Sequence, residues 1–180
     1  MMHKTLLLFI FTVLTLAAAS RGEILQGYQN KEYRDVCIEG SKILRSYRED
    51  EPLINAVADA CLKMHIVDLL PNPIVLLKKT PEARQNASFY ATILFQKKML
   101  YHALIDGIDI SGVRVPKVDY VLSSVFDLFV RGKYTREGKV YLLDDGTYTY
   151  RMQVVETARH KKIELKQYRG NTFVQQYYYW

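Results

Sequence analysis

The period of the apolar residues changes once along this chain, at Gly132. Before it they recur every three to four residues, the spacing of helices with one buried face. After it they alternate, the spacing of strands with one buried face. Tyr148, Tyr150, Met152 and Val154 alternate with Thr149, Arg151 and Gln153. A chain with helices first and strands last folds as α+β. The expected architecture is about four helices in a bundle over residues 20–132, then an antiparallel meander of three to four strands over 133–180. So small a sheet needs a packing partner, and the bundle is the only one available.

Four helices are expected. Lys31 to Arg48 carries Val36, Cys37, Ile43 and Leu44 on one face, with Gly40 weakening it. Arg48-Glu49-Asp50-Glu51-Pro52 breaks it, and a second helix runs from about Pro52 to Leu70. Leu53, Val57, Ala60, Cys61, Met64 and Val67 face inward, while Asn55, Asp59 and Lys63 form the wet stripe. Thr80-Pro81-Glu82 opens a third helix that reaches Asp106, with Gly107 as its left-handed stop. Its polar stripe is only Gln85, Ser88, Thr92 and Gln96, the mark of a central, buried helix. A fourth runs from Pro116 or Lys117 to near Gly132. Val140–Leu143 and Thr147–Val155 form a hairpin about Asp144-Asp145-Gly146, and Lys162–Tyr168 and Thr172–Tyr179 are further strands.

The first residues are an address. Met1-Met2-His3-Lys4 is a short positive start, and Leu6–Ala19 is free of charge. Ala17-Ala18-Ala19-Ser20 supplies small residues for cleavage. Residues 1–19 thus read as a secretory signal peptide. The run is shorter than the roughly 20 apolar residues of a spanning helix, and no later stretch is long enough either. The mature chain is expected in the periplasm, or outside the cell if the source is eukaryotic. Asn86-Ala87-Ser88 matches a glycosylation sequon but falls inside the third helix.

An oxidising compartment changes what two cysteines mean. Cys37 and Cys61 lie equally far from the break near residue 49 and on apolar faces, so an antiparallel helical pair sets them at one height. A Cys37–Cys61 disulfide is expected. The alternative is a zinc site from Cys37, Cys61, His65 and His102, but no paired CxxC supports it. No metal or cofactor is expected.

Charge is unevenly placed. The chain holds 25 Lys+Arg against 19 Asp+Glu, a net of +6. Between Ser20 and Val130 the signs balance; from Arg131 to Trp180 basic residues outnumber acidic ones two to one. A basic face on an exported protein points to an anionic envelope component or an envelope protein, not to nucleic acid. The candidate binding surface is Arg159, Lys161 and Lys162 with Tyr177 and Tyr179, since aromatic and basic side chains supply most hot spots. For Tyr177 and Tyr179 the preferred reading is that they pack the last strand on the bundle, with exposed recognition as the alternative.

No nucleophile elbow, P-loop, dinucleotide fingerprint or HExxH occurs. The expected role is a non-catalytic binding or structural module of the envelope. The alternative is a periplasmic hydrolase with a site around His102, Asp106 and Asp109. The runs Gln85–Tyr90, Leu94–Tyr101 and Asp106–Ser111 resemble a stretch of small exported proteins of Campylobacterota-type bacteria, over the helical two-thirds of the chain. That resemblance implies a periplasmic location and no activity, so it carries no site residues over.

Overall fold

A computed structural model describes residues 19–158 and 160–180. The signal peptide expected over 1–19 lies, but for Ala19, outside the described residues, as does Arg159. The fold is α+β. Its helices are α1 (Arg21–Gln29), α2 (Tyr33–Ile43), α3 (Glu51–Lys63), α4 (Pro71–Leu76), α5 (Pro81–Asp106) and α6 (Val121–Val130). Its strands are β1 (Tyr134–Glu137), β2 (Val140–Asp144), β3 (Thr149–Glu156), β4 (Lys161–Arg169) and β5 (Thr172–Tyr179). They form one antiparallel sheet in sequence order, β1-β2-β3-β4-β5.

The expected four helices and three to four strands therefore become six and five among the described residues. The additions are the elements with the weakest patterns. α1 is short and starts on a capping box, Ser20 Oγ accepting from Glu23 N at 3.3 Å while Glu23 Oε2 accepts from Ser20 N at 2.6 Å. α4 spans six residues and begins on Pro71, directly after Leu70, where the second helix was expected to end. β1 is exposed at every position, which leaves no alternation to read.

α3 also ends earlier than expected. His65 takes φ 57°, and its N–H donates to Leu62 O at 2.9 Å while Ile66 N donates to Cys61 O at 2.8 Å. This is a Schellman stop with histidine where glycine is usual. Met64, expected inside, is 36% exposed as a result.

α2 and α3 form an antiparallel pair joined by the Cys37–Cys61 disulfide, Cα atoms 4.7 Å apart. One turn further along, Gly40 faces Val57; a Cβ on Gly40 would sit 2.4 Å from a Val57 methyl. The glycine that weakens α2 as a helix is what lets α3 come this close. Both sulfurs are in the disulfide, so neither is a free thiolate for zinc. α5 ends at Gly107 with φ 70°.

One face of the sheet joins the helical core. Leu143, Tyr150, Met152, Ile163, Leu165, Tyr177 and Tyr179 are buried with Ile93, Leu100, Leu122 and Phe126. Tyr101 Oη on α5 donates to Lys161 O at 3.0 Å and fastens the sheet to the central helix.

Candidate binding site at the β5 edge

β5 is an edge strand, paired to β4 alone. Its eight residues, TFVQQYYY, contain no charge and no proline. Its parity sends Tyr177 and Tyr179 toward the helices and Tyr178 and Trp180 outward. Tyr177 Oη donates to Gln167 Oε1 at 2.7 Å. Tyr179 is 1% exposed and its hydroxyl lies 3.3 Å from His65 Nδ1. Of the surface expected from sequence, these two tyrosines are therefore packing residues and are removed from it. Lys161 is exposed at the start of β4, and Lys162 is half-buried.

The outward side chains are not the ones expected from the sequence. Phe173, Val174, Tyr178 and Trp180 are 53%, 46%, 43% and 44% exposed. A network on the outer face holds Tyr178. Glu164 accepts from Gln153 Nε2 at 2.6 Å, from Gln176 Nε2 at 2.7 Å and from Tyr178 Oη at 3.3 Å, with Lys166 Nζ 3.3 Å away. Burial pushes the Glu164 carboxyl up, but the Gln153 bond and Lys166 outweigh it and hold its pKa low.

Beside β5 runs a groove of about 330 Å³, bounded on its far side by Met64, His65, Ile66 and Asp68. The early stop of α3 builds this wall, because it turns the chain back toward the sheet. His65 Nδ1 meets Tyr120 Oη at 2.7 Å, and the imidazole sits edge-on to Tyr177 at 4.4 Å. Burial pushes the His65 pKa down to about 4. Lys97 on α5 is fully buried and ion-paired with Asp68, and Lys98 Nζ lies 3.6 Å from the same carboxylate. Burial lowers the Lys97 pKa, opposed by Asp68. Trp180 lies over this cluster, its ring 4.4 Å from Lys162 Nζ and 6.0 Å from Lys97 Nζ. Two lysines on Asp68, with Lys162 lining the groove under Trp180, leave this end of the molecule with more cations than carboxylates.

Sequence alone does not find Asp68, Lys97 and His65, because each becomes part of the site only when α5, the turn after α3 and β5 meet. The parity of β5 was legible, but which parity faces the bundle was not.

The alternative hydrolase residues lie elsewhere. His102 is exposed on α5, its Nε2 3.8 Å from Asp106. Asp109 is exposed, and its Oδ1 accepts from Ser111 N at 2.8 Å in a local turn. The Ser111 bonds lower the Asp109 pKa. None of the described cavities is lined by the three. Among the described residues no group of three or more His, Cys, Asp or Glu side chains is placed to hold a metal ion. No helix among them is long and apolar enough to cross a membrane.

No family model, curated protein or solved structure matches this chain.

Proposed function

We propose that this protein is an exported, non-catalytic binding module of the cell envelope, periplasmic in a bacterium. Its recognition element is the free edge of β5 with the adjoining cationic groove. The ligand is an extended acidic segment of an envelope protein, which adds to the sheet as a further strand. One observation carries the reading: an eight-residue edge strand without a charge or a proline that exposes Phe173, Val174 and Tyr178, with Trp180 exposed just beyond its end. Edges without a use are often blunted by lysine or proline, because an open edge invites indiscriminate pairing; β5 carries neither, and the irregularity of its pairing is confined to the step from Phe173 to Gln175 opposite Tyr168 and Gln167. The basic excess after Arg131 and the lysines of the groove favour an acidic strand. The leader-like Met1–Ala19 and the disulfide support export.

The test uses an extended peptide of alternating valine and glutamate and its valine–lysine counterpart. The acidic peptide is expected to shift β5 amide resonances saturably, and the basic one to leave them in place. Val174→Lys on the edge, and charge reversal of Lys161 and Lys162, should each weaken binding by about tenfold or more. Equal binding of both peptides, or none, overturns the reading. So does a mass that doubles with concentration and is restored to the monomer by Val174→Lys, which would make β5 a self-pairing edge.

A further inference from the structure

The face of the sheet turned away from the helices carries a larger groove, of about 730 Å³, at the opposite end of the strands from the groove beside β5. It runs across the strands, from Lys133 just before β1, past Asp144 and Thr149, to Tyr168 and Asn171 where β4 turns into β5. The register makes this a row, since Asp144 pairs with Thr149 and Thr149 with Tyr168. In the row beside it Thr135 pairs with Leu142, Leu142 with Arg151 and Arg151 with Lys166. The three steps from β1 to β4 make the crossing about 14 Å long.

Two features of this face point to an anion. Arg151 and Lys166 stand directly opposite each other, and like charges so placed destabilise a sheet. Lys166 is answered by Glu164 at 3.3 Å, but Arg151 and Lys133 make no ion pair among the described residues. Both are exposed and both line the groove. The carboxylate of the lining is Asp144, whose Oδ1 accepts from Gly146 N at 2.7 Å, so cations outnumber it two to one. The remaining side chains select the kind of anion. β2, β3 and β4 have a strand on each side, so a peptide finds no free backbone to join. Thr135, Thr149 and Asn171 each donate and accept, and Asp144 accepts, which suits a series of hydroxyls. The half-buried Tyr168 ring is braced edge-to-face on Phe173 at 5.8 Å and offers a flat apolar surface.

We propose that this groove binds an oligosaccharide containing uronic acid, its carboxylate met by Arg151 and Lys133, its hydroxyls by Asp144, Thr149 and Asn171, and one sugar ring lying on Tyr168. The assignment is independent of the β5 edge.

The full chain is titrated by NMR with tri- and tetrasaccharides of galacturonate, glucuronate and mannuronate, with their methyl esters, and with a single-stranded DNA tetramer. At least one uronate oligomer is expected to shift the Thr149, Arg151 and Asn171 resonances saturably. It should bind about tenfold or more tighter than its methyl ester, the discrimination of a charge-assisted contact. Arg151→Gln should erase that preference and leave the thermal midpoint unchanged or raised, because it removes the charge opposed to Lys166. Tyr168→Leu should weaken acids and esters alike, since stacking does not read the charge. No saturable shift across the series overturns the proposal, and so does equal binding of acids and esters. DNA bound as tightly as the best uronate overturns it too, because the face would then answer to negative charge alone. Where Arg151→Gln lowers the midpoint, the ester comparison on the unaltered chain decides.

Discussion

His65 shows how one residue serves two ends. Its left-handed conformation stops α3, and its ring fills the space between Tyr120, Tyr177 and Tyr179. Burial favours the neutral imidazole, with a pKa of about 4 against an ordinary 6.5. Between those values the unfolded chain binds the proton and the folded chain does not. Stability should therefore be full above pH 6.5 and fall as the pH drops toward 4. Solvent reaches part of the ring, so the loss across this window should be about 1–2 kcal/mol rather than the full linkage value. Urea melts at several pH values measure it, and His65→Asn, which tolerates the left-handed backbone, should flatten the curve. Lys97 makes a different prediction. Its charge is fully buried, while Asp68 keeps 35% of its side chain exposed and has Lys98 nearby. Lys97→Met should then change stability by less than about 1 kcal/mol, or raise it, because the aspartate left behind retains water and a second lysine. A loss of several kcal/mol on a urea melt would show instead that Asp68 depends on Lys97 alone.

At the scale of elements, the α2–α3 pair is held by two features one turn apart. Gly40→Ala should cost about 1–3 kcal/mol, because the new methyl meets branched Val57 in a core without slack. Pairing it with Val57→Ala should recover part of that loss, and thermal melts of the three variants test the coupling. Replacing both Cys37 and Cys61 by alanine should cost roughly 3 kcal/mol, the loop-closure value for a separation of 24 residues. The symmetry of this hairpin was legible, because helical rise fixes which residues share a height once the break near residue 49 is found. The end of α3 was not, since histidine carries no signal for φ above zero. The start of α6 at Val121, later than the expected Pro116 or Lys117, follows from Tyr120, whose extended backbone begins the helix only there.

At the scale of the whole molecule, function rests on which surfaces the packing leaves open. The helices cover one face of the sheet and leave β5 without a backbone partner on its outer side among the described residues. If β5 is kept open for a partner, Val174→Lys should leave the thermal midpoint within about 0.5 kcal/mol of stability while abolishing peptide binding. A large loss of stability would mean that the edge is structural.

The class of fold, the order of its parts, the disulfide and the basic character of the sheet half were all readable along the chain. Those follow from periodicity, from distances along the chain and from net charge, all one-dimensional quantities. Only the packing of distant elements decided which face of β5 is buried, that Lys97 and Gln96 lie inside, and that His65 meets three distant tyrosines. Each of these depends on contacts between residues far apart in sequence, where a lysine or a glutamine at a helix position reads as solvated until a neighbouring element covers it.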